Sequence, residues 1–369
     1  MKILYTLFFL YFGISPIIAQ NINLDIVDSI FNTAYQSRMF SGQVFITQSG
    51  ETVFKKKYGF ANLDKQIAFT DSTSFQIASI TKHITAVSIF YLEEKGKLLI
   101  DEPVNKYLKE FPYDSITIWH LLSHTSGLPN LWTTISADMD KSKNNGNKEL
   151  LKLLEMKQYA LRSRPGDLFE YTDINFNLLA LIIERVSELD YDFFLKQTFF
   201  QPLGMKHTKA ELILDTRLID NSRLATGYEY DTITNALVEA RSLEKNDYIH
   251  WVAKFYGDGD ITTTGHDLFL FDEALLRGDL ISQKNLGKIK EPILLNSGKT
   301  AMEWGYPMAI FGTFIKNKNF SLFQKAGGIP GYRTKLIHVE NEDITILIMS
   351  NLESNWFWEI DVFSFLTDE

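Results

Sequence analysis

The 369-residue sequence contains no cysteine, and this absence excludes several kinds of protein. Without cysteine the chain has no disulfide framework, no thiol nucleophile and no cysteine-based metal site. It also lacks a basic excess, because 37 lysine and arginine residues face 46 aspartate and glutamate residues, giving a formal net charge of −9. Nucleic-acid-binding proteins rely on the opposite balance, so we exclude that partner.

Long apolar runs are also scarce, and the N-terminus carries the exception. Residues 3–18 are mostly apolar, but the stretch is short and is interrupted by Gly13 and Pro16, which makes a membrane span improbable. We interpret residues 1–19 as a signal peptide, the alternative being an uncleaved anchor. The expected product is an exported protein, periplasmic or secreted, with no stable membrane span after cleavage.

The remaining composition fits a globular protein, with 45% hydrophobic and 22% charged residues. Apolar periodicity divides the chain into β-rich ends and a mostly helical middle. The predicted strands include residues 43–47, 52–58, 322–325, 333–339 and 344–349. The predicted helices include residues 79–95, 118–122, 149–157, 175–186, 266–276 and 356–365.

Strands at both ends of the chain, with helices between them, predict an α+β fold. We expect one antiparallel sheet built from N- and C-terminal strands with flanking helices, plus an inserted, mostly helical lobe. The mature domain would cover residues 20–369. Its α/β lobe would comprise residues 22–100 and 300–369, and its helical lobe residues 101–299, all boundaries being approximate.

Two pairs of residues resemble reactive motifs but have simpler explanations. His120 and His124 could share a helix face, yet no glutamate follows His120 as a zinc-protease motif requires. We expect a structural pair there, and no metal or cofactor. Ser242 and Lys245 form an S-x-x-K pattern within a polar stretch, where we expect both side chains to be solvated.

A second S-x-x-K pattern opens the predicted helix 79–95 and is a stronger candidate. Residues three apart on a helix project from the same face, so the Lys82 amine can reach the Ser79 hydroxyl. A serine needs a nearby base to become a nucleophile, and a lysine with a lowered pKa can supply it. The unpaired N–H groups at a helix start also stabilise developing negative charge.

Further segments accompany this pair in a fixed order along the chain. They are residues 75–82 around Ser79 and Lys82, residues 121–128, residues 165–166 followed by Tyr171-Thr172-Asp173, residues 202–205, and residues 325–332. In this order they resemble the serine β-lactamase and penicillin-binding-protein superfamily. The similarity is greatest to the branch that contains class C β-lactamases, D-alanyl-D-alanine carboxypeptidases, D-aminopeptidases and related esterases.

The resemblance implies a β-lactamase/D,D-peptidase-like fold and a role for each matching residue. Ser79 would attack a carbonyl carbon, and Lys82 and Tyr171 would share proton transfer. A phenol beside a cationic lysine is easier to ionise. The backbone N–H groups of Ser79 and Gly328 would form the oxyanion hole. Lys325 would supply positive charge and hold either Tyr171 or a substrate anion.

Two positions depart from the family pattern and bear on the substrate. In the K-x-G segment that ends at Gly327, Ala326 replaces a threonine that would help to bind a substrate carboxylate. Asp173 replaces an asparagine that would contact a substrate amide. An acidic side chain there repels a carboxylate and favours an amine or hydroxyl. Specificity is expected to come from loops 131–147 and 215–256.

The leading hypothesis is an exported serine hydrolase that forms a Ser79 acyl-enzyme with an ester or a small amide or peptide. The first alternative is a β-lactamase or D-alanyl-D-alanine carboxypeptidase. The second is a non-hydrolytic binding or sensing module with the same fold. The expected partner is a small-molecule or peptide substrate, and the sequence makes no prediction about the oligomeric state.

Overall fold

The computed structural model describes residues 22–211, 223–252, 254–303, 306–310, 312–340 and 342–366. The interpreted signal peptide, residues 1–19, lies outside these ranges, and the division into two lobes stays a prediction. The α-helices are α1 (Leu24–Gln36), α2 (Thr81–Glu94), α3 (Ile118–Leu122), α4 (Asn147–Lys157), α5 (Ile174–Ser187), α6 (Tyr191–Leu195), α7 (Gly265–Arg277), α8 (Gln283–Lys290) and α9 (Trp356–Glu359).

The strands begin with β1 (Gly42–Gln48), β2 (Glu51–Tyr58), β3 (Phe60–Asn62), β4 (Ile67–Ala68), β5 (Phe75–Gln76), β6 (Lys209–Ala210), β7 (Tyr228–Asp231) and β8 (Ala236–Glu239). They continue with β9 (Ile261–Thr263), β10 (Met302–Glu303), β11 (Tyr306–Ala309), β12 (Gly312–Lys316), β13 (Ser321–Ile329), β14 (Tyr332–Glu340) and β15 (Ile344–Ser350). Short 3-10 turns include Ala78–Ile80, Ala240–Ser242, Glu244–His250 and Val362–Phe365.

An eight-stranded antiparallel sheet joins the two ends of the chain. Its strand order is β10-β11-β12-β13-β14-β15-β1-β2, so the N-terminal hairpin lies beside the last C-terminal strand. The register of β1 against β15 places Ile46 opposite Ile346 and Gly42 opposite Ser350. The predicted α+β fold, with one sheet built from N- and C-terminal strands, is confirmed.

The large sheet is covered on both faces, so its central strands β1 and β15 are buried along their whole length. Successive side chains point to opposite faces. Phe45 and Leu347 pack with α2, α5 and α7 on one face. Val44, Ile46 and Ile346 pack with α1 and the C-terminal aromatic segment on the other. The result is a helix–sheet–helix arrangement with a core on each side of the sheet.

Two helices in the first core are buried nearly all round. In α2 the buried side chains include Ile84, Val87 and Phe90, and in α5 every residue from position 174 to position 183 is buried. The two helices pack against each other. Their N-terminal ends therefore lie inside the protein, and the site described below is built there.

The predicted helix over residues 356–365 is wrong in one respect, because two short helical segments replace it. Helix α9 ends at Glu359, and Ile360 and Asp361 adopt extended backbone conformations. The Asp361 side chain then accepts a hydrogen bond from the backbone N–H of Phe363 at 3.0 Å and caps the following turn. Aspartate favours such a cap over a helix interior, and this local bond breaks the helix.

Among the described residues, every helix falls short of the length and apolar character needed to cross a bilayer.

The close pairing of β1 and β15 predicts a strong effect of one methyl group. A Cβ added to Gly42 would lie 1.9 Å from the carbonyl oxygen of Met349, so Gly42→Ala must displace the strand. We expect a loss of about 1–3 kcal/mol in the free energy of unfolding, measured by urea denaturation.

The matched control is Gly287→Ala, at an exposed position of α8 with no heavy atom within 4 Å of the added Cβ. This substitution is expected to raise stability by about 0.5–1 kcal/mol, because alanine loses less backbone freedom in a helix than glycine does. Equal effects of the two substitutions would contradict the proposed role of the β1–β15 contact.

Candidate active site

Ser79 lies in the 3-10 turn Ala78–Ile80, immediately before helix α2 begins at Thr81. The preceding residue, Ala78, has a φ of 48°, in the left-handed region that non-glycine residues seldom adopt. Strand β13 approaches this turn closely, since a Cβ on Gly327 would lie 2.3 Å from the Ile77 carbonyl oxygen. Glycine at position 327 therefore allows the strand to lie directly against the serine.

The structure brings the three predicted catalytic side chains together. The Tyr171 hydroxyl donates a hydrogen bond to Ser79 Oγ at 2.9 Å, and Lys82 Nζ donates to the same oxygen at 3.2 Å. Lys82 Nζ also donates to the backbone carbonyl of Asp258 at 2.8 Å and lies 5.0 Å from the centre of the Tyr171 ring. Ser79 Oγ is thus flanked by an amine and a phenol.

Asp173 forms an ion pair with Lys82, which the sequence analysis did not anticipate. The distance from Lys82 Nζ to Asp173 Oδ1 is 2.7 Å, with 5% and 18% of the two side chains exposed. The indole Nε1 of Trp132 donates to Asp173 Oδ2 at 2.6 Å. Both carboxylate oxygens therefore bind protein groups, whereas we expected this side chain to contact the substrate.

We expected a lysine with a lowered pKa beside Ser79, but the structure raises the pKa of Lys82. Burial alone would lower the pKa of Lys82, but the Asp173 carboxylate, with Tyr171 and Asp258, holds it above its ordinary value. Burial raises the pKa of the Tyr171 hydroxyl and outweighs the opposing effect of Lys82. The pKa of Asp173 stays low because Lys82 overcomes the effect of burial. The resting site holds an ammonium, a neutral phenol and a carboxylate.

Two further aspartates lie beside Lys82 and Asp173. They belong to a glycine-rich turn, residues 257–260, that packs against the segment around Ser79. Asp258 accepts a hydrogen bond from Asn177 at 2.7 Å, and Asp260 accepts one from the backbone N–H of Gly257 at 2.6 Å. Burial and neighbouring carboxylates raise the pKa of Asp258 to about 7 and that of Asp260 to about 8. The sequence analysis singled out neither aspartate.

His124 packs against Tyr171 and does not pair with His120. Its ring stacks on Tyr171 at 4.5 Å between centroids, and its Nδ1 accepts a hydrogen bond from the backbone N–H of Thr172 at 3.3 Å. Burial lowers the pKa of His124 to about 3, so the ring is neutral. His120 instead accepts from the backbone N–H of Thr117 at 3.1 Å. Each histidine has a local structural role.

The structure pairs Lys325 with a buried carboxylate, whereas the family resemblance places it beside Tyr171 or a substrate anion. Lys325 Nζ lies 3.1 Å from Asp272 Oδ1 and 3.2 Å from His83 Nε2, in a buried cluster that also contains His338. Burial lowers the pKa of Lys325, and Asp272 partly opposes this effect. Its charge is therefore balanced by a buried carboxylate beneath strand β13.

Ser242 and Lys245 are exposed, as predicted for the second S-x-x-K pattern. Lys245 forms an ion pair with Glu229.

Two cavities meet at Ser79, Lys82 and Gly328. The first cavity, of about 560 Å³, is walled by Trp132, Tyr248, Trp251, Val252 and Phe255, and Asp173, Asp258 and Asp260 also line it. The second cavity, of about 430 Å³, is lined by residues that include Tyr171, His124, Lys325, Arg333 and Trp358. The loops predicted to control specificity thus supply Trp132, Tyr248 and Trp251 to the wall of the first cavity.

The sequence profile of the β-lactamase family matches residues 27–361. The chain belongs to the β-lactamase family. It is 31% identical to penicillin-binding protein 4* of Bacillus subtilis strain 168 over 334 residues, which cover 90% of this chain and 73% of that protein. It is also 30% identical to the putative penicillin-binding protein PbpX of the same strain over 317 residues, covering 86% of this chain and 72% of the relative.

Solved structures of this superfamily share the fold. A penicillin-binding protein from Bacillus halodurans has a TM-score of 0.73 at 23% identity, with 88% of this chain and 95% of that chain covered. The D-amino acid amidase of Ochrobactrum anthropi SV3, solved with D-phenylalanine, has a TM-score of 0.74 at 21% identity, with 90% and 93% covered. The hydrolase EstCE1 has a TM-score of 0.71 at 18% identity, with 89% and 93% covered. The predicted β-lactamase/penicillin-binding-protein fold is confirmed.

The buried Lys82–Asp173 pair predicts a pH-dependent contribution to stability. Asp173→Asn leaves a buried ammonium without its carboxylate, so we expect a loss of about 3 kcal/mol at pH 7 by chemical denaturation. Because the pKa of Asp173 is lowered in the folded state, this contribution is present above about pH 4 and disappears as the pH falls through that lowered pKa.

The matched control is Asp71→Asn, which removes a carboxylate paired with Lys55 and Lys57 at the surface, where 67% of the Asp71 side chain is exposed. Exposed pairs contribute little, so a change within about 0.5 kcal/mol is expected. The same loss for both variants, or a loss for Asp173→Asn that does not vary with pH, would contradict the assignment.

Proposed function

We propose that this protein is a serine hydrolase that forms an acyl-enzyme on Ser79 with an ester or a small amide or peptide. The observation that carries the proposal is the position of Ser79 Oγ, within hydrogen-bond distance of both Lys82 Nζ and the Tyr171 hydroxyl. A nucleophile bonded to groups that exchange protons, beside a cavity, is the arrangement that acyl transfer requires. Export, with residues 1–19 as the signal peptide, and the class C-like branch belong to the same proposal.

The oxyanion hole of this proposal consists of the backbone N–H groups of Ser79 and Gly328. Strand β12 pairs with β13 as far as Gln324. Beyond that residue β13 continues past the turn Ala78–Ile80, which holds Ser79. Gly327 lets the two segments approach closely, because a Cβ there would lie 2.9 Å from the backbone nitrogen of Ser79. Fixed N–H donors at this junction would stabilise the charge that develops on the carbonyl oxygen.

The proton path of the proposal follows from the resting charges. Lys82 first passes a proton to Asp173 Oδ1, and the neutral amine then takes the Ser79 proton, so the lysine is again an ammonium and the aspartate is neutral. Ser79 Oγ bonds to the carbonyl carbon and gives a tetrahedral intermediate. Tyr171 gives its proton to the leaving group as the bond between the carbonyl carbon and the leaving group breaks, and Asp173 returns a proton to the phenol through Lys82. Water repeats the sequence in reverse to release the acid.

A β-lactamase or D-alanyl-D-alanine carboxypeptidase is the second candidate, and the relatives named as penicillin-binding proteins favour it. Two features of this chain weigh against that substrate class. Ala326 brings no hydroxyl to strand β13, and the carboxylate of Asp173 is bound by Lys82 and Trp132 and offers no amide to a substrate. A binding module that lacks turnover is disfavoured because Ser79, Lys82 and Tyr171 are all present and in contact.

The proposal predicts that hydrolysis of p-nitrophenyl butyrate by the chain from Gln20 onward depends on Ser79. Ser79→Ala is expected to lower kcat/KM by at least about 1,000-fold, because the nucleophile is lost. Tyr171→Phe is expected to lower kcat by about 100-fold or more, because release of the acyl group from Ser79 then lacks the phenol that takes part in proton transfer from water. Rates are measured by p-nitrophenolate release.

Ser242→Ala is the matched control, since Ser242 is the exposed serine of the other S-x-x-K pattern, and it should leave the rate unchanged within about twofold. Wild-type hydrolysis by Ser79→Ala would overturn the proposal. Nitrocefin turnover that is faster than ester turnover would favour the β-lactamase alternative.

A further inference from the structure

The two cavities divide a bound substrate at the scissile bond. Tyr171 lines the second cavity, and the proposed mechanism makes it the proton donor to the leaving group. A proton donor must lie on the side from which the leaving group departs. The leaving group therefore occupies the second cavity, and the acyl group that stays on Ser79 occupies the first.

The wall of the first cavity consists mainly of aromatic rings, of which Trp132 and Tyr248 pack edge to face, while Trp132 is tilted against Trp251 and Phe255. The Trp132 ring lies 5.3 Å from that of Tyr248, 6.2 Å from that of Trp251 and 6.4 Å from that of Phe255, measured between centroids. Trp251 and Phe255 are buried. The hydrogen bond from Trp132 Nε1 to Asp173 fixes this wall relative to Lys82 and thus to Ser79. The rings form a rigid apolar surface beside the nucleophile.

Charged groups also line this cavity. Asp258 and Asp260 adjoin the nucleophile segment, where Lys82 also lies. Lys141 lies over the Trp251 ring at 5.6 Å, and Arg241 lines the cavity as well. The aromatic residues nonetheless give the cavity an apolar wall against which a flat apolar group can pack.

We propose that the first cavity is the acyl subsite and that it selects aromatic acyl groups, such as phenylacetyl and 3-phenylpropionyl, over short aliphatic ones. This inference rests on the proposed function, because it requires an acyl group on Ser79. The first cavity has a volume of about 560 Å³, which is in the range of small-molecule sites and exceeds what a butyryl group fills. Aromatic pairs also prefer the edge-to-face and offset contacts that this wall offers.

The test compares kcat/KM for p-nitrophenyl esters of 3-phenylpropionate and butyrate, which share a leaving group and differ in the acyl group. The wild-type protein is expected to prefer the aromatic ester by roughly 10- to 100-fold, the range for burial of a phenyl-sized group in a matching pocket. Trp251→Ala is expected to reduce that ratio at least about fivefold, and Trp251→Phe to retain most of it.

Phe193→Ala is the control, because Phe193 is an exposed aromatic residue on α6, outside both cavities. It should leave the ratio unchanged. A wild-type ratio near one, or a ratio that Trp251→Ala does not alter, would overturn the acyl-subsite inference and leave the proposed function standing. Hydrolysis of both esters no faster than by Ser79→Ala would overturn the proposed function and this inference together.

Discussion

A lysine buried beside a serine needs a counter-charge, and in this protein Asp173 supplies it at 2.7 Å. The pair joins the starts of two buried helices, because Lys82 lies in the first turn of α2 and Asp173 immediately precedes α5. Ser79 is three residues before Lys82, and Tyr171 is two residues before Asp173. One ion pair therefore links the segments that carry Ser79 and Tyr171, and through Trp132 it also contacts the aromatic wall of the first cavity.

The fold holds both residues of this ion pair in place. Helices α2 and α5 pack against one face of the eight-stranded sheet, so their starts are held by the larger of the two cores. Strand β13 then passes so close to the turn that holds Ser79 that position 327 has room only for glycine. Beneath that strand, Lys325 and Asp272 form a second buried ion pair. The site thus combines two buried ion pairs with a rigid backbone, which suits a reaction that needs fixed proton donors and acceptors.

Local patterns in the sequence predicted the parts of the structure that depend on local physics. The β-rich runs 333–339 and 344–349 predicted strands β14 and β15, and the spacing of Ser79 and Lys82 predicted their contact. Tyr171 was found through the family resemblance, since a tyrosine after a Pro-Gly turn carries little information by itself.

Tertiary contacts explain what sequence reasoning missed. The partner of Lys82 is Asp173 and the partner of Lys325 is Asp272, and no periodicity indicates which distant carboxylate a buried lysine will meet. The raised pKa values of Asp258 and Asp260 likewise depend on burial by surrounding helices. The available signal for these two residues was a pair of aspartates in a glycine-rich turn, a pattern that is also typical of ordinary loops.

The most direct test of the central claim, that Ser79 carries the acyl group, is mass spectrometry of the protein quenched with acid during turnover of p-nitrophenyl butyrate. The account predicts a fraction of the protein heavier by one butyryl group, with the modification on the peptide that contains Ser79 and none on the Ser79→Ala variant. Butyrylation of a different residue during turnover, or the same adduct on Ser79→Ala, would contradict it.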